Sequence, residues 1–212
     1  HSWQGEGCHM GRSAYFIRLH GCPVHCPWCD SAGTWHPDWI PGNVPRETPE
    51  KLADAAAGSG AEIVILTGGE PAIHDLNALT ATLAAQDNPV HIETCGAYEL
   101  RGEFDWVTVS PKWWKLPTPE IVRSAHELKI IVEDENSIEK WMDHLDGDFC
   151  TDHVWLHPEW TQRNNPGVLN SITSWIRRHG KPFRAGHQLH KFFKADEQDP
   201  ASRPQIPLGG IR

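Results

Sequence analysis

The sequence predicts one α/β domain with a parallel βα architecture. Three observations carry this. Short apolar runs alternate with helix-patterned stretches six or seven times along the chain, as strands joined by helical crossovers do. Polar and glycine-rich residues collect directly after those runs, where parallel sheets bind their ligands. The 212 residues suffice for one core, and neither a linker nor an internal repeat interrupts them.

Trp3-Gln4-Gly5-Glu6-Gly7 reads as a polar turn whose glycines let the backbone pass close to a ligand. Gln4 and Glu6 offer an amide and a carboxylate to a heteroaromatic edge, although a plain turn has the same composition. Tyr15 to Leu19 is the first strand. Tyr15, Ile17 and Leu19 share one face; Phe16, Arg18 and His20 share the other. Strands of parallel sheets are normally apolar on both faces. Arg18 and His20 therefore point to a polar lumen, or else to an edge strand with Arg18 in water.

Residues 21–31 read Gly-Cys-Pro-Val-His-Cys-Pro-Trp-Cys-Asp-Ser. Pro23 and Pro27 exclude a helix, so this is a loop with three thiols spaced C-x3-C-x2-C. Iron–sulfur clusters are held by cysteine thiolates, one per iron. Three cysteines on a four-iron cluster leave one iron open to a substrate or cofactor. A structural zinc site using the three thiols with His20, His25, His36 or Cys8 is the competing arrangement, but no second ligand pair follows. Cys8, Cys95 and Cys150 lie apart and read as ordinary residues. Asp30 and Ser31 supply hard oxygens of the kind Mg²⁺ accepts, or simply a helix cap. Residues 33–47, rich in Pro, Gly and Trp, form an excursion over the site.

Thr48-Pro49-Glu50 caps a helix that stops at Gly58-Ser59-Gly60. Glu62 to Leu66 is a buried strand. Thr67-Gly68-Gly69-Glu70-Pro71 follows it. The paired glycines expose carbonyls to an ammonium group, Glu70 adds complementary charge, and the Walker ending is missing. A helix over 74–85 and a strand over 90–93 come next. A strand over 106–109 then ends at Ser110-Pro111-Lys112. The strand over 127–132 carries Lys129, out of place on a buried element. Further on, the pattern predicts a helix over 136–145, a strand over 154–156 ending at His157-Pro158-Glu159-Trp160, a helix over 165–179 and a last strand over 183–189. From Asp199 a Pro- and Gly-rich tail is expected to lie extended along the surface.

The chain holds 28 acidic against 19 basic residues, a formal charge of −9, which disfavours nucleic acid as a partner. It has no run of membrane-spanning length and opens on no signal peptide. Unpaired cysteines fit the cytoplasm. Eleven Trp and fourteen His suit a pocket for a flat heterocycle, or reflect compositional drift. The start at His1, without Met and inside what reads as a strand end, suggests that a few upstream residues are missing.

C-x3-C-x2-C after one strand and Gly-Gly-Glu-Pro after the next resemble the radical S-adenosylmethionine (SAM) superfamily, with Trp28 in the aromatic position before the last cysteine. More narrowly, Trp3 to Gly7, Arg18, Cys29-Asp30-Ser31, Thr67 to Pro71, Ser110-Pro111-Lys112 and His190-Lys191 resemble the 7-carboxy-7-deazaguanine synthase family over nearly the whole chain. The resemblance implies a partial (β/α)6-type barrel, a single domain over 1–212 with its core at 13–191 and a tail at 192–212. It implies a 4Fe–4S cluster on Cys22, Cys26 and Cys29, SAM, and Mg²⁺ on Ser31 with Asp30. Gln4, Glu6, Arg18 and His190 would hold the substrate, with Trp3, Gly5 and Thr67 lining its pocket. Gly69, Glu93, Ser110, Pro111, Lys112, His157, Pro158, Glu159 and Trp160 would hold SAM. Family members more often carry Thr at the Ser31 position and Gln-Pro at His157-Pro158, and some end soon after the His-Lys pair.

The implied activity is that of a carbon–nitrogen lyase of queuosine biosynthesis. It contracts the ring of 6-carboxy-5,6,7,8-tetrahydropterin to 7-carboxy-7-deazaguanine with loss of ammonia. The implied partners are flavodoxin or ferredoxin as reductant and a second copy of the chain. Two alternatives stand beside it: a glycyl-radical activating enzyme of the same superfamily, and a zinc-stabilised binding module without catalysis.

Overall fold

The computed structural model describes residues 1–147 and 149–195. Its frame is one eight-stranded sheet whose spatial order is its sequence order. The strands are β1 (Ser2–Trp3), β2 (Ser13–Leu19), β3 (Ile63–Gly68), β4 (Val90–Thr94), β5 (Trp106–Val109), β6 (Glu127–Val132), β7 (Val154–Pro158) and β8 (Phe183–Ala185). β1 runs antiparallel to β2. All later neighbours are parallel. Among the described residues β1 and β8 do not pair, so the sheet is open, a partial barrel rather than a closed one.

Among the described residues six α-helices serve this sheet: α1 (Pro49–Ser59), α2 (Asn77–Ala84), α3 (Pro119–Ser124), α4 (Ser137–Leu145), α5 (Pro166–His179) and α6 (Leu189–Phe192). α1 starts where Thr48 Oγ1 accepts from Lys51 N at 3.3 Å, and it ends at Gly60 in the left-handed region. The same Thr-Pro-Glu signature at 118–120 opens α3, where Thr118 Oγ1 accepts from Ile121 N. This short helix was not anticipated. The expected helix over 74–85 is a 3₁₀ turn at Pro71–Ile73 followed by α2. The expected strand over 183–189 stops at Ala185, and the chain turns into α6. β1 stands at the strand end read at the chain start and takes in Trp3, the first residue of the expected turn. The predicted tail from Asp199 lies outside the described residues.

Period two divides every strand between two environments. Ile17, Val64, Leu66, Ile92, Val109, Leu128, Ile130 and Leu156 pack with Ala53, Leu79, Val122, Ile138 and Val168 of the helices in one apolar core. The alternate positions face away from the helices: Arg18, Thr67, His91 and Glu93, then Thr108, Glu127, Lys129 and His157. A polar lumen results, as Arg18 and His20 foretold.

At the amino-terminal ends of the strands an aromatic and imidazole plug closes the lumen. The His9 ring lies 4.5 Å from His91 and 4.5 Å from Trp106, which stacks on His126 at 5.1 Å. Beside it Glu127 accepts from the Cys8 amide and the Thr108 hydroxyl, both at 2.8 Å. Part of the Trp and His excess is thus structural. Burial, aided by His9 and Arg12, pushes the His91 pKa down to about 4. The unfolded chain takes up that proton first, so stability is full above about pH 6.5 and falls as pH drops toward 4. Thermal unfolding between pH 7 and 5 should show this loss, and His91→Asn should flatten it.

Candidate active site

The loop after β2 gathers its thiols. Cys22, Cys26 and Cys29 pack with Val24, Trp28 and Cys95 in one apolar cluster against Ala97 and Tyr98. Gly21 N donates to Thr34 O at 2.8 Å, and Gly69 and Glu70 donate to Leu19 O and Gly21 O, also at 2.8 Å. The loop is therefore held at the carboxyl end of β3. A Cβ on Gly69 would collide with the Gly21 carbonyl and lie 3.1 Å from Cys22 Cβ, so only glycine permits this approach.

Glu70 is buried and already engaged. It accepts from the Thr94 hydroxyl (2.6 Å), Cys95 N (2.8 Å) and Ala72 N (3.0 Å). It ties β3 to β4 and does not offer its charge to a ligand, contrary to the expectation from sequence. Glu70→Ala should strip three buried donors of their acceptor and cost several kcal/mol, at about 1–3 each. Urea titration of the variant checks this.

A second group lies over the lumen. Lys129 Nζ donates to Glu6 Oε2 at 2.6 Å and to Glu93 Oε2 at 2.9 Å. Gln4 Nε2 donates to Glu93 Oε1 at 2.7 Å. Gln188 Nε2 bridges Glu6 Oε1 (2.8 Å) and Asp30 Oδ2 (3.4 Å), and Lys191 Nζ lies 3.2 Å from Asp30 Oδ2. Burial works against the Glu6 charge, but Lys129 outweighs it and holds the carboxyl well below its usual range. Burial likewise opposes the Lys129 ammonium, and Glu6 and Glu93 outweigh it and hold its pKa up. α6 closes the group from above: Leu189 N donates to Gly5 O at 3.0 Å, and the His190 ring covers Gly5 where a Cβ would collide with it.

A third group follows β5 and β6. Trp28 Nε1 donates to Glu133 Oε2 at 2.8 Å. Lys112 Nζ stands 5.4 Å over the Trp28 ring and donates to Ser110 Oγ at 2.6 Å. His157 is buried with both ring nitrogens unpartnered, and burial lowers its pKa to about 4. Glu159 caps the next turn through Thr161 N at 3.0 Å, and the Lys191 ammonium lies 5.1 Å over the Trp160 ring.

A sequence model of the radical SAM superfamily matches residues 16–133. A 7-carboxy-7-deazaguanine synthase of Synechocystis sp. is 40% identical over 193 residues, which span 91% of this chain and 88% of that protein. One of Prochlorococcus marinus is 35% identical, spanning 91% and 93%. The chain belongs to the 7-carboxy-7-deazaguanine synthase family of the radical SAM superfamily. Among solved structures, QueE from Escherichia coli matches this radical SAM chain with a TM-score of 0.72 at 31% identity, covering 89% of this chain and 91% of that one. Streptococcus suis SuiB, solved bound to S-adenosylmethionine, shares the fold alone: its TM-score is 0.59 at 11% identity, over 92% of this chain and 55% of that one.

The residues present fit the cluster that the superfamily implies. Burial pushes the Cys26 thiol up to about 12 and raises Cys29 as well, so their thiolates need a cationic partner such as iron. Ser31 N and Trp35 Nε1 each donate to Cys29 Sγ at 3.4 Å, the kind of N–H···S contact that tunes cluster potentials. Among the described residues no three His, Cys, Asp or Glu side chains are grouped to hold one metal ion. A cluster with one cysteine per iron does not require its thiols to meet at a point. Mg²⁺ is compatible with Ser31 Oγ and Asp30 Oδ1, which lie 3.2 Å apart, near the ~3 Å edge of an octahedron with ~2.1 Å bonds.

The structure brings Gln4, Gly5, Glu6, Asp30 and His190 together and seats Gly69, Ser110 and Lys112 beside the cysteine loop. Thr67 pairs in register with Arg18. Glu93, which the resemblance assigned to SAM, accepts from Gln4 and from Lys129, the residue it shares with Glu6. Arg18 is exposed, 5.8 Å from the Phe16 ring, with its charge felt at Asp30. Glu133, Gln188 and the Asp30 pairing of Lys191 went unread. Lys129 was the one signal, a charge on an apolar strand.

Proposed function

We propose that this radical SAM chain is itself a 7-carboxy-7-deazaguanine synthase, a carbon–nitrogen lyase acting on 6-carboxy-5,6,7,8-tetrahydropterin. The observation that carries the reading is the Gln4–Glu6–Glu93–Lys129 group, set directly beside Asp30 of the cysteine loop. When bound, the cluster on Cys22, Cys26 and Cys29 together with SAM supplies a carbon-centred radical for hydrogen abstraction.

The chain's own residues do the rest. Glu6 stays ionised, so it is an acceptor for the adjacent N–H groups of a 2-aminopyrimidinone edge, and Gln4 adds an amide. Arg18 supplies a fork for the substrate carboxylate. His190 and Trp3 wall the pocket, with Gly5 and Thr67 beneath. Asp30 and Ser31 would hold Mg²⁺, which would polarise and orient the substrate's oxygens. Gly69, Ser110, Pro111, Lys112 and the turn from His157 through Pro158 and Glu159 to Trp160 hold SAM. Together they fix the reacting carbon and exclude water. The reading implies a reducing cytoplasmic setting, an external one-electron donor and a homodimer.

Anaerobic turnover with the carboxy-tetrahydropterin, SAM, Mg²⁺ and reductant should yield the deazaguanine by mass spectrometry. Cleavage of SAM with no deazapurine would point instead to an activating enzyme. Arg18→Ala should raise KM by about 10–100-fold, the value of a charged hydrogen-bonded pair at ~1.5–3 kcal/mol. Iron content and uncoupled SAM cleavage should stay as in the parent; loss of the cluster would make Arg18 structural.

A further inference from the structure

Reductive use of a buried cluster needs an electron from outside the chain, and the surface beside the cysteine loop has the character of an entry point. Residues 112–116 read Lys-Trp-Trp-Lys-Leu, without an acid, in a chain of formal charge −9; the Lys112 ammonium turns inward onto Ser110 and Trp28, while Lys115 presents its charge at the surface, 5.4 Å over the Tyr98 ring. Lys115 N donates to Lys112 O at 3.2 Å, so the segment is a tight turn. Its base is fixed, because Trp113 stacks on Trp141 of α4 at 3.8 Å. Its tip is not covered: Trp114 is 45% and Leu116 44% exposed, and Lys115 is exposed between them. The Trp114 ring meets Trp28 edge-on at 5.8 Å. Trp28 is the residue bonded directly to Cys29. The Glu133 carboxylate accepts from the Trp28 indole at 2.8 Å.

We infer that the Trp114–Leu116 turn is the docking surface for an acidic one-electron donor protein carrying a low-potential flavin or iron–sulfur centre. The inference rests on the radical SAM reading of the site. Exposed Trp and Leu supply the apolar centre of a small transient interface, and Lys115 at its rim attracts an acidic partner. One electron passes from the donor's reduced centre to the cluster. The donor is oxidised by one electron, the cluster is reduced by one, and no bond or proton moves.

The test follows cluster bleaching in anaerobic stopped flow, with a purified acidic flavodoxin in its hydroquinone state and, separately, with dithionite. Lys115→Glu and Trp114→Ser are compared with the parent. Lys115→Glu should lower the second-order rate with flavodoxin about tenfold at low ionic strength, and the gap should close as salt screens the charge. Trp114→Ser should slow flavodoxin at all salt concentrations. Neither change should alter reduction by dithionite. Equal rates with flavodoxin across all three proteins would overturn the proposal. So would conversion of a parent dimer to monomer by Trp114→Ser, which would make the turn a contact between copies. Bleaching reports only the electron, so a missing deazapurine product would defeat the substrate assignment and leave this docking site standing.

Discussion

Alanine in place of Cys26 is expected to give a colourless protein with little iron and no detectable turnover. The loss should far exceed the ~10–100-fold that outer-shell partners of a metal site carry. Cys26 lies in the apolar cluster with Cys22 and Cys29, and one ligand in three cannot be replaced from nearby. Cys95 packs in the same cluster but follows β4, outside the C-x3-C-x2-C loop, with its thiol beside the Glu70 carboxylate, which disfavours a thiolate there. Cys95→Ala, Cys8→Ala and Cys150→Ala should therefore each keep the parent iron content. Iron and sulfide analysis of anaerobic preparations decides. If Cys95→Ala loses iron while Cys26→Ala keeps it, the ligand set is wrong.

Lys129→Met should be the most destabilising single change in the lumen. Lys129 is 6% exposed and holds Glu6 and Glu93 at 2.6 and 2.9 Å. Removing one partner of a buried pair costs about 3–5 kcal/mol, because the remaining charge stays desolvated. For a chain of this size that is a drop in Tm of roughly 6–20 °C. The pH dependence should also change. In the parent, Glu6 has a lowered folded pKa, and its contribution is present above the carboxylate range and lost as pH falls. In the variant, unpaired buried carboxyls have raised pKa values and bind protons better when folded. The variant should therefore lose less stability than the parent as pH falls from 7 toward 5, because proton uptake by the freed carboxyls offsets the loss that both proteins owe to His91. A Tm equal to the parent's at both pH values would show that the pair is not load-carrying.

Much of the architecture was legible because its signals are local. Alternation along Tyr15 to Leu19 marked both the strand and the polar lumen, and Thr48-Pro49-Glu50 marked a helix start. The thiol spacing marked the loop. What escaped depends on long-range contacts. The strand end at the chain start is legible, but the extent of β1, two residues, and its partner are set only by its pairing with Ala14 and Ser13. The run from Phe183 has strand chemistry, but Leu189 N is drawn to Gly5 O and the chain turns helical. Glu70 looks like a ligand-facing acid until its partners Thr94 and Cys95, over twenty residues away, are seen. Gln188 is an ordinary glutamine in sequence and becomes a bridge between Glu6 and Asp30 only when α6 folds back.

The central claim is that three cysteines hold a four-iron cluster whose remaining iron is open to SAM. Electron paramagnetic resonance of the reduced anaerobic protein, recorded with and without SAM, tests it most directly. The account predicts the signal of one reduced 4Fe–4S cluster per chain, with g values that move when SAM is added. A protein with no such signal, or with a signal indifferent to SAM, would contradict it.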